Sequence, residues 1–268
     1  MLFSYKADCA ENTSVQSPIR LTQNNAFLVD DAAPLLFLGH GNLRAGASLT
    51  NNGQSAVLKL NQEHQSPRPF IIGGPLGGVY VFEQLHFHWG PSDRSGSEHV
   101  LNESGHSMEV HVVHYNVRYS KFEEAVGAPD GLVVVAVFLQ AFKCPEAYCA
   151  AFQPIVDGVH LIRELNGSVE LEADCLRWLT HLDLSRRYYT YRGSLTTPPF
   201  ATNVTWIVYE VPISVAPFQT APFRRLQRVR GDRQSMILKN YRPLQPCLGA
   251  TNVTFVRNTC QSLSRAKL

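Results

Sequence analysis

Charge is scarce in this chain. Asp, Glu, Lys and Arg make up 17% of its 268 residues, below the ordinary quarter, and they nearly cancel to a net +2. That balance gives no reason to expect nucleic acid as a partner. The richest basic stretch, Arg224-Arg-Leu-Gln-Arg-Val-Arg-Gly-Asp-Arg233, is broken by apolar and acidic residues and reads as solvated surface. No apolar run is long enough for a membrane span, and the opening Met1-Leu-Phe-Ser-Tyr-Lys6 lacks the apolar core of a signal peptide. Internal repeats, low-complexity tracts and long linkers are missing as well, which excludes solenoids and multi-module arrays. What is present is enough apolar content, 44%, for a sizeable core. The length suits one β-rich domain over 1–268.

Short β-branched or aromatic runs bounded by Gly and Pro, at 69–73, 79–83, 132–139 and 205–209, read as strands. Residues 146–165 have helical length and apolar spacing, with Pro154 expected to break or kink the helix. A second short helix is expected over 221–226. The fold class is therefore mainly β with a few short helices.

Chemistry concentrates in three histidines. His86 and His88 lie in Glu83-Gln-Leu-His-Phe-His-Trp-Gly90, and His111 lies in Glu109-Val-His-Val-Val113. Residues two apart on a strand share a face, roughly 6.6 Å apart along the chain. Two imidazoles thus face one way, with Phe87 turned to the other. An antiparallel second strand would let His111 supply a third nitrogen. Three neutral imidazoles with an open fourth position describe a catalytic zinc site, whereas structural zinc usually closes with four protein ligands. A lone strand histidine is ordinarily a hydrogen-bonded core residue; an alternating pair plus a third favours metal. Gln84 and Glu109 each stand two residues before a histidine, on its face, where they can accept the second ring N–H and fix the tautomer.

Gln-Leu-His-Phe-His-Trp-Gly (84–90), Ser-Glu-His (97–99), Glu-Val-His-Val-Val-His-Tyr-Asn (109–116) and Tyr-Arg-Gly-Ser-Leu-Thr-Thr-Pro-Pro (191–199) closely resemble the α-class carbonic anhydrases. So do Gln-Ser-Pro-Ile (16–19), Asn-Asn-Gly (51–53), Asp-Gly-Leu (130–132), Thr-Trp-Ile-Val (205–208) and Asn-Tyr-Arg-Pro (240–243). The matches run in family order over about 16–246, leaving 1–15 and 247–268 as divergent ends. The resemblance implies a single domain around a central, twisted, largely antiparallel β-sheet. It also implies zinc-dependent hydration of carbon dioxide to bicarbonate and a proton through zinc hydroxide, and inhibition by sulfonamides.

Residue by residue, the resemblance assigns zinc to His86, His88 and His111. Thr196 would orient the bound hydroxide and pass a hydrogen bond to Glu98, while Thr197 would contact bicarbonate. Val113, Val134, Leu195, Val204 and Trp206 would form the apolar wall for carbon dioxide, and His99 and Tyr191 would support Glu109. Two other readings remain: a carbonic anhydrase-related binding or matrix protein that keeps zinc with weak or no catalysis, and a structural zinc protein. The first typically follows loss of a zinc histidine, and the second needs a fourth protein ligand near the three. No cysteine lies close in sequence.

Several positions depart from the family pattern. Efficient members carry a proton-shuttling histidine directly after Asn-Asn-Gly, but this chain has Gln54, an amide with no protonation change near neutral pH. Regeneration of hydroxide is therefore expected to limit turnover. His64 is not at the shuttle position. Only fifteen residues precede Gln16, where relatives have a Trp- and Tyr-containing segment. Six cysteines, Cys9, Cys144, Cys149, Cys175, Cys247 and Cys260, and Asn-x-Ser/Thr sequons at Asn12, Asn102, Asn166, Asn203 and Asn252 suggest a secreted, disulfide-bonded glycoprotein. The bridge usual in extracellular members has no second cysteine, because Phe200 fills that place; Cys247 and Cys260 are expected to close a tail loop.

Overall fold

The computed structural model describes residues 15–41, 43, 46–61, 68–181, 187–231, 233–246 and 252–258. A large mixed sheet organises them. Its main path runs Ser168–Leu171, Ala47–Asn51, Ala56–Leu60, Tyr80–Trp89, Met108–Asn116, Leu132–Ala141, Thr202–Tyr209, Arg187–Ser194, Thr254–Arg257 and Phe27–Asp30. Most neighbours are antiparallel. The exceptions on this path are Leu132–Ala141 beside Thr202–Tyr209 and Thr254–Arg257 beside Phe27–Asp30, which pair in parallel. Mainly strand, largely antiparallel: the expected fold class is what is found.

Three long central strands, Tyr80–Trp89, Met108–Asn116 and Leu132–Ala141, are buried over most of their length, and the last is a nearly continuous apolar run because both faces of the sheet are covered. Alternation then sorts their side chains. Leu85, Phe87, Val110, Val112, Val133, Val135 and Val137 enter the larger core on one face. Val113, Tyr115, Leu132, Val134 and Ala136 enter a smaller cluster on the other. The 79–83 strand expected from sequence proves to be the start of one ten-residue strand, Tyr80–Trp89, that also carries His86 and His88. A register shift between Phe82 and Gln84 leaves Glu83 as the extra residue, a β-bulge at the point where the strand meets the functional face.

The long helix expected over 146–165 is corrected. The segment forms two 3₁₀ turns, Pro145–Ala147 and Ala150–Phe152, followed by a helix over Gln153–Leu161. Pro154 neither breaks nor kinks this helix; it sits in the first turn, where its missing N–H has no helical acceptor to lose. Gly158 lets the helix lie close on the sheet, since a Cβ there would fall 2.9 Å from Leu171 Cδ2 and 3.0 Å from Leu49 Cδ2. The second expected helix is a 3₁₀ segment, Ala221–Arg225, preceded by a single α turn, Pro217–Thr220.

Candidate metal centre

Antiparallel pairing of Tyr80–Trp89 with Met108–Asn116 sets His86 directly opposite His111, and His88 opposite Glu109. The three rings meet at centroid distances of 5.0, 5.1 and 4.4 Å, and their facing nitrogens all lie within 4.8 Å of one another. Each ring's other nitrogen meets an oxygen. His86 Nδ1 donates to Gln84 Oε1 at 2.9 Å, His88 Nδ1 to the Asn240 carbonyl at 3.2 Å, and His111 Nε2 to Glu109 Oε1 at 2.7 Å. With those protons placed, His86 Nε2, His88 Nε2 and His111 Nδ1 are lone pairs turned inward.

That arrangement fits a cation. His88 Nε2 and His111 Nδ1 stand 3.1 Å apart, lone pair against lone pair, and His86 Nε2 is buried without a partner. A shared proton is disfavoured, because burial lowers the pKa of all three imidazoles, that of His88 to about 4. An electrophile with three vacancies on one side satisfies what a proton does not. The donor set is three neutral nitrogens, the chemistry of a zinc site with room for a water.

The ring acceptors are themselves held. Glu109 is fully buried, and burial pushes its pKa up. His99 and His111 overcome that and hold it well below the usual carboxylate range. Its Oε2 accepts the backbone N–H groups of Glu98 and His99, each at 2.8 Å, and its Oε1 accepts from His99 Nδ1 at 2.7 Å. His99 Nε2 then accepts from the Tyr191 hydroxyl at 2.7 Å, which lies 2.8 Å from Ser17 Oγ. Gly193 makes this chain of contacts sterically possible, since a Cβ there would fall 2.2 Å from Ser17 Oγ. Trp206 packs edge-on against both His99 and His111, at 4.8 Å each.

A cleft of about 700 Å³ opens over the triad, lined by His86, His88, Gln84, Thr196, Thr197 and Gln54 among others. An adjoining recess of about 250 Å³ is lined by Val113, Val134, Leu195 and Trp206 together with His111. Val204 does not line that recess; it is fully buried within the apolar cluster that includes the other wall residues. Thr196 and Thr197 sit on the turn after Arg187–Ser194, which closes through Leu195 N–H to the Ala201 carbonyl and Phe200 N–H to the Thr197 carbonyl. Glu98 lies beneath, its carboxyl pushed up to about 7 by burial, with His111, Thr196 and the Arg242 amide opposing the shift. Gln54 is exposed on the rim, its backbone carbonyl tied to Asn240 Nδ2. His64 lies outside the described residues.

Asn240, Arg242 and Ser17 had no role predicted from sequence. Asn240 accepts the His88 proton, and its side chain also clamps Trp89, Phe87 and Gln54. Arg242 gives its backbone N–H to Glu98 Oε1 at 2.6 Å and its guanidinium to Gln16 Oε1 and the Ser17 carbonyl. All three fall inside motifs already quoted, 16–19 and 240–243, so a signal was present without a chemical reason attached to it.

Residues 4–254 match the family model for the eukaryotic-type carbonic anhydrases. The chain belongs to the carbonic anhydrase family. It is similar to carbonic anhydrase 7 of Mus musculus and of Homo sapiens, each 36% identical over 236 residues, which is 87% of this chain and 86% of the relative. It is also 41% identical to the mitochondrial carbonic anhydrase 5A of Rattus norvegicus over 184 residues, 67% of this chain and 58% of that protein. The enzyme is thus a carbonic anhydrase, and hydration of carbon dioxide is the activity of its family.

The expectation of a secreted protein is corrected by the same comparison. The relatives named above are carbonic anhydrases 7 and 5A, the latter named as mitochondrial, rather than secreted forms. The disulfide and glycoprotein expectations lose their support with it. Cys144, Cys149 and Cys175 are free, and Cys9, Cys247 and Cys260 lie outside the described residues. The physical error was to read cysteine number and sequon number as compartment signals, when neither says whether side chains pair or are modified. Among the described residues no helix is long and apolar enough to cross a membrane.

Proposed function

We propose that His86, His88 and His111 hold one zinc ion and that the enzyme hydrates carbon dioxide there to bicarbonate and a proton. The observation that carries this reading is the convergence of three inward lone pairs, each with its outer nitrogen tied to an acceptor, on the floor of an open cleft. Zinc so bound supplies a water acidified to a pKa of about 7, the value for which carbonic anhydrase is the standard example. Thr196 donates its hydrogen bond to Glu98 and would accept one from a water held there. A hydroxyl does both, and Glu98 in its ionised form, with Oε1 accepting the Arg242 N–H, only accepts, so it sets the direction of the relay. Val113, Val134, Leu195 and Trp206 offer carbon dioxide, which has no charge and no strong donor, an apolar surface beside the nucleophile. Thr197 then meets the bicarbonate.

Proton release is the slow step in this reading. The only imidazoles lining the cleft among the described residues are His86 and His88. Gln54 stands at the rim where a group titrating near neutrality would serve. The decisive experiment measures carbon dioxide hydration and zinc content on one purified sample, with and without a simple aromatic sulfonamide, whose deprotonated nitrogen would take the open zinc position. One zinc per chain with sulfonamide-sensitive hydration is expected. One zinc with no hydration would instead mark a related binding or matrix protein, and no zinc would sink the ligand assignment.

A further inference from the structure

We propose a second ligand site, a pocket for a phosphate group, between the end of helix Gln153–Leu161 and the 3₁₀ turn Ala221–Arg225. A cavity of about 140 Å³ lies there, lined by Val159, His160, Arg163, Pro222, Arg225 and Leu226. Three of its six lining residues are basic types and none is acidic. Nothing in the carbon dioxide chemistry uses them.

Five other arginines are paired with carboxylates, Arg20 with Glu103, Arg68 with Glu83, Arg118 with Asp130, Arg187 with Glu210 and Arg257 with Asp30, whereas Arg192 and Arg242 give their guanidinium groups to neutral oxygens. Arg224, adjacent in sequence to the pocket, meets Asp93 at 2.5 Å and the Gly90 carbonyl at 2.8 Å. Arg225 and Arg163 have no carboxylate within ion-pair distance among the described residues. Arg163 has the Gln227 amide 3.3 Å away, whose other end meets the Glu164 carboxylate at 3.0 Å, so no carboxylate touches the Arg163 guanidinium directly. Arg163 and Arg225 thus line one concavity with no acidic residue in its lining and no carboxylate in direct contact with either.

Guanidinium forks match the oxygens of phosphate bidentately, and each such pair is stronger than a neutral hydrogen bond. Val159, Pro222 and Leu226 form apolar walls that keep water off part of the ligand and raise the local strength of the charge interaction. A water takes about 30 Å³ of liquid, so the cavity holds a few waters or one compact oxyanion. Two positive charges beside an imidazole suit a phosphoryl dianion better than a monoanion such as bicarbonate. The pocket is also wired to the cleft rim: the Arg163 carbonyl accepts Asn51 Nδ2 at 3.0 Å and Gln227 N–H at 2.8 Å, and Asn51 Oδ1 accepts the Gly53 N–H at 2.9 Å.

The test is calorimetric titration of the full chain with inorganic phosphate and, separately, with glycerol phosphate. One phosphate per chain is expected, weakened at least tenfold in the Arg163→Gln/Arg225→Gln double variant. Arg225→Lys, which keeps the charge and loses the fork, should weaken binding less. Arg118→Gln, a cation removed elsewhere, should leave it unchanged. Binding of both probes would assign the pocket to phosphomonoesters and binding of inorganic phosphate alone to the free ion; either supports the site. No binding of either probe, unchanged affinity in the double variant, or an equal loss in Arg118→Gln would overturn it.

Discussion

Two histidine clusters hang from the same strand, Met108–Asn116, on opposite faces. His111 joins His86 and His88 beneath the cleft, while His114 meets His40 in the larger core, Nε2 to Nε2 at 3.2 Å. Both clusters are neutral, because burial lowers every one of their imidazole pKa values, that of His40 to about 3. They differ in where the protons go. His114 Nδ1 donates to the Val112 carbonyl, so its Nε2 is free to accept from His40 Nε2–H, which gives the inward nitrogens each other and leaves only His40 Nδ1, on the outer side, buried without a partner. The rings of Phe37 and Phe82 pack edge-on around it. In the triad every proton is drawn outward to Gln84, Asn240 or Glu109, and the inward nitrogens have nothing but each other and the cleft. Burial and neutrality do not make a metal centre; acceptors behind the rings and an open space before them do.

The largest test of that contrast removes one ring from each cluster. His111→Ala should abolish zinc retention and lower hydration by on the order of a hundredfold or more, exceeding the loss typical of an outer acceptor. His114→Ala should keep the zinc while costing about 2–5 kcal/mol of stability, as emptying a large buried side chain does. Zinc analysis and denaturant melts on both variants decide it; retention of zinc in His111→Ala would erase the distinction.

The next test leaves the rings and changes what stands behind them. Glu109→Gln should weaken zinc about 10–100-fold, measured by competition with a chelator, because the amide is a poorer acceptor for His111 Nε2–H. Thr196→Ala should retain zinc and lower turnover instead. Equal zinc loss in both would show that the acceptors do not orient the triad.

The His40–His114 pair should reveal itself in acid. The folded pKa of His40, about 3, lies below its unfolded value of 6.5, so between these limits the unfolded chain binds more protons and folding stability rises with pH. This contribution is fully present above 6.5 and is lost as pH falls towards 3, at a slope of about 1.4 kcal/mol per pH unit for one proton. His40→Phe should flatten that slope in urea melts between pH 4 and 6; an unchanged slope would assign the acid sensitivity elsewhere.

The smallest effect concerns the rim, where a histidine would belong to neither cluster. Gln54→His should raise kcat several-fold in weak buffer, with much less effect on kcat/KM, because it adds a titrating group to the proton path alone. A wild-type kcat that is high and indifferent to buffer would mean that another group already carries the proton.

Alternation alone makes the histidine faces legible. Gln84, His86 and His88 are two apart, with Gln84 the acceptor of His86, as are Glu109 and His111, and a strand offers no other arrangement than a shared face. The pairing of His40 with His114 was invisible for the opposite reason. Seventy-four residues separate them, and nothing in either neighbourhood marks the other. Asn240 was hidden in the same way, acting on His88 through a backbone carbonyl 152 positions away that every residue type possesses. The helix over 146–165 failed because apolar spacing does not register where a chain turns, and three short segments bury the same side chains as one long one.

What the sequence by itself determined was the local chemistry: strands by alternation, three imidazoles with acceptors two residues before two of them, and enough motif in family order to predict the fold. Register, and therefore which imidazoles meet, was decided only by tertiary structure. The antiparallel pairing that sets His86 across from His111, the bulge at Glu83 and the return of residues 240–242 beneath the triad all depend on contacts between distant segments. Such contacts are selected by the packing of whole sheet faces, and a one-residue slip would have turned the same histidines into the core.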